Sequence, residues 1–198
     1  MNIESLNPNL KGYRFILASG SPRRKALLEQ LGLPFTVKVR PVEETFPEGL
    51  TPGETAIFLA EKKAGAFPAK DIPEKTIVIT SDTVVALHEQ VLGKPADQEE
   101  ATQMLRHLSG RAHEVITGVY LKSKTKKAHF GISTKVHFKT LSEAEIAYYI
   151  QHYSPMDKAG AYGIQEWIGL AAIERIEGSY FNVVGLPVHA LYERLLNW

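Results

Sequence analysis

Apolar and polar positions along the chain divide it into short segments that alternate between two periods. Tyr13 to Ala18 is an apolar run of strand length, bounded by polar residues on both sides. Ser19-Gly20-Ser21-Pro22 then reads as a turn into a helix, with Ser21 as N-cap and Pro22 where a missing N–H costs nothing. That helix carries Ala26, Leu27, Leu28 and Leu31 and stops at Gly32. Phe35 to Val39 predicts a second strand. Thr51-Pro52-Gly53-Glu54 is a capping box that opens a helix with Ile57, Phe58, Ala60 and Ala64 at helical spacing. Thr76 to Thr80 is strongly β-branched, and Thr83 to Leu87 continues extended after a break expected at Ser81-Asp82. Asp97 caps a helix through Met104, Leu105 and Leu108, ended by Gly110. Val115 to Leu121 and Ala128 to Phe138 flank Ser123 to Lys126, which predicts a hairpin. A helix follows Ser142, then a Gly-rich stretch, a short strand near Ile173 and a closing helix from Pro187 to Trp198. Early alternation with a hairpin in the middle predicts an α/β fold: a mixed, twisted sheet flanked by helices.

Length and composition narrow the class. At about 150 residues per domain, 198 residues make one large domain or two small ones. No repeat, low-complexity segment or linker marks a boundary. The expectation is one unit over 13–198 behind a polar extension over 1–12. Cysteine is absent, which excludes a disulfide scaffold, a cysteine nucleophile and thiolate metal sites. No run of about 18 apolar residues is present to span a membrane. The first residues lack a basic-then-apolar leader, so the expected location is the cytoplasm. The net charge of +1 is too balanced for bulk binding to nucleic acid or anionic lipid. A charged ligand would have to be held by local geometry.

Four segments could do so. Ser19, Ser21, Arg23 and Arg24 cluster at a helix entry, where unpaired N–H groups and the helix dipole favour an anion. Arginine in a first turn opposes that dipole unless an anion arrives, and arginine can then clamp phosphate oxygens in pairs. The same segment also reads as a serine cap followed by two solvated arginines. Neither G-x-x-x-x-G-K-[ST] nor G-x-G-x-x-G occurs. Asp82, between two β-branched runs, needs a partner if buried: a metal ion, an activated water or a lysine. It could equally be a turn aspartate bonded to its own backbone. Glu43-Glu44 suits a magnesium-like cation that keeps water and phosphate ligands, or is a solvated loop. Lys63 and Lys94 could add point charges for a polyphosphate, or lie on the surface. In Asp157 to Gln165, small residues allow close backbone approach, and the Gln165 amide could read a nucleobase edge. A merely structural connection fits that stretch too. The seven histidines form no i, i+4 pair, and Lys122 to Lys127 suits a solvated hairpin turn better than nucleic acid.

Together these segments resemble the Maf family of nucleotide pyrophosphatases over Phe15 to Tyr192. The resemblance rests on Leu17 to Arg24, Glu43-Glu44, Lys63-Ala64, Ser81 to Val85, Gly93-Lys94-Pro95, Leu108-Ser109-Gly110, Thr117-Gly118-Val119, Asp157 to Gln165, Gly178-Ser179-Tyr180 and Asn182 to Pro187, in that order. It implies an inosine-triphosphate-pyrophosphatase-like fold, commonly as a homodimer. It also implies hydrolysis of nucleoside triphosphates to monophosphate plus pyrophosphate with a divalent cation, Mg²⁺ or Mn²⁺, and removal of non-standard nucleotides. The Tyr162-Gly163-Ile164-Gln165 ending is similar to the branch that prefers dTTP and UTP. By that match Asp82 is the proton acceptor, Arg23, Thr83 and Gln165 select the substrate, and Glu44 and Asp82 meet the metal. Ser19, Ser21, Arg24, Lys63 and Lys94 face the phosphates. Ser81 stands where alanine is usual, and the extension before Tyr13 is longer than typical. Two other readings remain: the same hydrolysis on a damaged or methylated purine nucleotide, and a nucleotide- or nucleic-acid-binding regulator of cell division.

Overall fold

The computed structural model describes residues 10–198; the expected extension lies largely outside that range. Leu10, at its end, is fully buried in the same core cluster as Phe15, Leu191 and Leu195.

Seven strands form one sheet in the order β2-β1-β3-β5-β6-β7, with β4 paired to β3 off that path. They are β1 (Arg14–Leu17), β2 (Phe35–Val37), β3 (Thr76–Leu87), β4 (Gln90–Leu92), β5 (Ala112–Lys122), β6 (Lys127–Phe138) and β7 (Ile173–Glu177). β1 lies parallel to both β2 and β3, and every other pairing is antiparallel. The sheet is mixed because the first strands are joined by α1 (Pro22–Gln30) and α2 (Pro52–Gly65), while β5 and β6 are joined by a tight turn. The remaining helices are α3 (Gln98–Leu108), α4 (Glu143–Tyr153), α5 (Trp167–Ala171), α6 (Tyr180–Val184) and α7 (Val188–Leu196).

Local chemistry explains the helix boundaries. Ser21 caps α1 by accepting from the Arg24 N–H, and Gly32 follows its last turn with φ of 74°, a left-handed value that glycine adopts without a Cβ clash. Thr51 and Glu54 close the expected capping box on α2, and Ser142 and Glu145 form a second one on α4. Asp97 caps α3.

β3 departs from expectation. It runs unbroken from Thr76 to Leu87, with Ser81 opposite Val119 and Asp82 opposite Gly118 in β5. Ladder hydrogen bonds on both sides of these residues keep the strand extended, and the Asp82 charge meets a lysine, so nothing forces a turn. The β4 hairpin arm and the short helices α5 and α6 carry too few residues for a periodic signal and were not anticipated.

Alternation along β3 sorts its residues onto two layers. Thr80 donates to the Ala60 carbonyl of α2, which therefore covers the even-numbered face. On the odd-numbered face, Ile77 and Ile79 join a core with Leu27, Leu28 and Leu191, while Val85 and Leu87 join a second core with Leu105, Leu108 and Tyr149. Ser81 and Thr83 fall between these two apolar clusters, in a polar gap.

Candidate active site

Chain direction brings the candidate residues together. The segments after β1 and β2 leave the sheet at the carboxyl ends of parallel strands, where open α/β sheets form a crevice. A cleft of about 660 Å³ lies there. Ser19, Ser21, Arg23, Arg24, Glu44, Lys63, Asp82, Thr83, Lys94 and Gln165 all line it. Glu43 is exposed and is not among the lining residues.

On the α2 side the charges pair with one another. Asp82 is buried, and its carboxylate accepts from the Lys63 ammonium in the last turn of α2. Lys63 also reaches Glu44 Oε1 at 2.8 Å, and Lys94 donates to Glu44 Oε2 at 2.9 Å. Partial burial resists ionisation of Glu44, but the hydrogen bonds from Lys63 and Lys94 outweigh it and hold the carboxyl at about 2. Of the partners open to Asp82 in the sequence, a lysine is the one present. Two carboxylates converge on one ammonium, and that donor set fits a small divalent cation that completes its shell with water and phosphate oxygens. Among the described residues no cluster of three or more acidic or histidine side chains could cage a metal unaided.

At the entry of α1 the two arginines differ. Arg23 reaches across the cleft to Asp157 Oδ2 at 3.2 Å, keeping most of its donors available. Arg24 is committed to the protein. Its Nε donates to the Gly185 carbonyl at 2.8 Å, Nη1 to the Ser81 carbonyl at 2.9 Å and to Ser19 Oγ, and Nη2 to Thr83 Oγ1 at 3.2 Å. Four of five guanidinium donors are thus used, and the reading of two solvated arginines fails for Arg24. These bonds tie α1, β3 and the end of α6 into one block. Ser19 Oγ also accepts from the Ser21 N–H at 3.3 Å.

The opposite wall is the Gly-rich stretch. Gly160 takes φ of 67°, and a Cβ there would lie 2.9 Å from Val85, so only glycine permits this close pass over β3. Tyr162 lines the cleft and bonds His113 Nε2 through its hydroxyl at 2.7 Å. Burial drives His113 down to about 4, with a smaller contribution from His137, so the ring stays neutral. Gln165 is exposed, and no hydrogen bond from the described residues fixes its amide.

Sequence reasoning missed the loop that follows β2. Val39, Arg40 and Phe46 line the cleft beside Glu44, and Phe46 remains 43% exposed. No periodicity marks this loop, so only the three-dimensional placement exposes its role.

Fold and site together define an α/β protein with a charged cleft at the carboxyl ends of its parallel strands. The chain belongs to the Maf-like protein family, whose model matches residues 14–198. It is 50% identical over 189 residues to a dTTP/UTP pyrophosphatase of Porphyromonas gingivalis, covering 94% of this chain and 95% of that one. A dTTP/UTP pyrophosphatase of Bacteroides fragilis is 49% identical over 188 residues, with coverage of 94% and 97%. One from Christiangramia forsetii is 50% identical over 186 residues, with 94% of each chain covered. Among solved structures, the Staphylococcus aureus Ham1 protein aligns over 63% of this chain and 71% of that chain, at TM-score 0.42 and 16% identity. No helix among the described residues is long and apolar enough to cross a membrane.

Proposed function

We propose that this chain hydrolyses nucleoside triphosphates, dTTP and UTP foremost, to the monophosphate and pyrophosphate. The observation that carries the reading is the single cleft in which a buried carboxylate, Asp82, sits against Lys63 and beside the entry of α1. The names of the relatives support the substrate class.

In this mechanism the triphosphate enters over the α1 entry, where Ser19, Ser21 and Arg23 offer donors to its oxygens. Lys63 and Lys94 turn from the carboxylates to the incoming phosphates, exchanging one anion for another. Arg24 stays bonded to Ser81 and Thr83 and keeps the strand beneath Asp82 rigid. Asp82 orients a water and accepts its proton. The water oxygen forms a bond to the α-phosphorus, the bond from that phosphorus to the α,β-bridging oxygen breaks, and pyrophosphate leaves with that oxygen. Fixed positive groups around the phosphates supply the electrostatic stabilisation that dominates such reactions. Glu44 and Asp82 would hold a divalent cation, Mg²⁺ or Mn²⁺; when bound it offsets phosphate charge and favours ionisation of water. At the other end, the O4/N3 edge of uracil or thymine matches the donor and acceptor of the Gln165 amide.

The test is a panel of triphosphates, canonical and modified, incubated with Mg²⁺ or Mn²⁺ while orthophosphate and pyrophosphate are followed separately. Metal-dependent pyrophosphate release, fastest from dTTP and UTP, is the expected result. Faster release from a damaged or methylated purine nucleotide would move the substrate assignment, and binding without turnover would remove the enzyme reading.

A further inference from the structure

The Gln165 amide is directed by the backbone beneath it, since no bond from the described residues holds the amide itself. That backbone is gripped from behind. Tyr149, in the middle of α4, is fully buried and does not line the cleft. Its hydroxyl accepts from the Gly163 N–H at 2.9 Å and donates to the Glu166 carboxylate. Burial, reinforced by Glu166, pushes the phenol upward, so it keeps its proton at neutral pH. Glu166 in turn meets Lys158 Nζ at 3.1 Å, and Lys158, itself buried, meets Asp157 Oδ1 at 2.7 Å. Asp157 is the residue that Arg23 reaches from across the cleft.

Gly163 is the point where these groups converge. A Cβ built there would lie 2.8 Å from Gln165 Nε2, 3.0 Å from the Glu166 carboxyl carbon and 3.0 Å from Lys158 Cε. The Gln165 amide therefore rests in the space left open by glycine, against the same side chains that Tyr149 and Glu166 anchor. Neither anchor touches the cleft through a group of its own that could bind the nucleotide. Both touch residues that could.

We propose that Tyr149 and Glu166 are positioning residues for base selection, acting through Gly163 and Lys158 to aim the Gln165 amide. This rests on the reading of Gln165 given under Proposed function. Discrimination by hydrogen bonding is strong only where donor and acceptor are held in place, because a misplaced amide pairs almost as poorly with the right base as with the wrong one. UTP and CTP probe this directly, since they differ at the pyrimidine edge and share the triphosphate.

Pyrophosphate release from UTP and CTP is measured for the wild-type protein and for Tyr149→Phe, Glu166→Gln and Gln165→Glu. Loss of one hydrogen-bonding hydroxyl should lower the UTP-to-CTP ratio of kcat/KM in Tyr149→Phe by about fivefold to tenfold. The change should lie in KM for UTP, with kcat within about twofold of wild type. Glu166→Gln keeps the size of the side chain and removes its charge, and should lower the same ratio by about twofold to threefold. A merely structural role would lower both nucleotides together and leave the ratio unchanged, and that result overturns the proposal. If Tyr149→Phe fails to fold, the partly exposed Glu166→Gln decides the matter by the same ratio. A wild-type protein with no preference for UTP, or a Gln165→Glu variant that retains it, overturns the underlying reading and this inference with it. A ratio that collapses in Gln165→Glu but holds in both anchor variants overturns this inference alone.

Discussion

On strand β3, Asp82 and Thr83 follow one another in the chain and meet opposite surroundings. Asp82 points to the α2 layer, where Lys63, Glu44 and Lys94 form a chain of full charges at the edge of the cleft. Thr83 points to the other layer, where every contact is a hydroxyl, an amide or a fixed guanidinium. It bonds Thr117 Oγ1 at 2.9 Å and accepts from Arg24, and Thr117 donates to the Asn182 carbonyl at 3.0 Å. Asn182, fully buried, then donates to the Val115 carbonyl and to Thr134 Oγ1. The first set is built of long flexible side chains that can change partners. The second is built of short ones, sealed between two apolar clusters, that cannot. One strand thus separates groups that must move during the reaction from groups that must hold still.

Substitutions can break that division in measurable ways. Asp82→Asn removes the group on the mobile side that would take a proton. Turnover should fall by about 10²–10⁴ while the melting temperature stays within a few degrees of wild type. Near-wild-type kinetics would remove Asp82 from the chemistry. The fixed side should respond through stability instead. His113 shares the Thr117 face of β5, and its neutral ring is present in the folded chain down to pH of about 4. An unfolded histidine takes up its proton near pH 6.5, so folding loses stability as pH falls between those values and is unaffected above them. The loss should total roughly 3 kcal/mol by pH 4. Urea unfolding across that range should show a shallower pH slope in His113→Gln, and equal slopes would contradict a buried neutral ring. Arg24→Ala leaves the Ser81 and Gly185 carbonyls without their donor and should cost about 2 kcal/mol in the same assay. If Arg24 instead served phosphates alone, stability would not change. The smallest effect belongs to Lys94→Gln. This half-exposed residue touches only Glu44 among the described residues. It should raise KM for the triphosphate by about twofold to fivefold without altering stability, because exposed ion pairs contribute less than about 1 kcal/mol.

Much of this arrangement is legible in the chain itself. Ser21, Thr51, Asp97 and Ser142 announce their helices because capping is decided by a few adjacent residues. Ten candidate site residues share one cleft because their segments sit at strand ends, which the order of elements already implies. What escapes the sequence is decided by distant partners. The expected break at Ser81-Asp82 rested on the cost of extending a charged residue in a buried strand, and Lys63, nineteen positions away, cancels that cost. Arg24 looks like Arg23 in a string of letters; only the arrival of Gly185 and Ser81 carbonyls separates their duties. The anchoring by Tyr149 is invisible for the same reason, since a tyrosine in an apolar helix face is ordinary core until Gly163 and Glu166 are placed beside it.

Gly118 lies directly opposite Asp82, and a methyl group there would stand 2.3 Å from the Ala56 carbonyl oxygen of α2. Main chain therefore rests on main chain at the spot from which α2 carries Lys63 toward Asp82. The spacing of ammonium and carboxylate is consequently gauged by two rigid backbones in contact, so repacking of interior side chains elsewhere has little leverage on it. Adding one carbon at Gly118 would lift the whole helix like a shim and pull the pair apart.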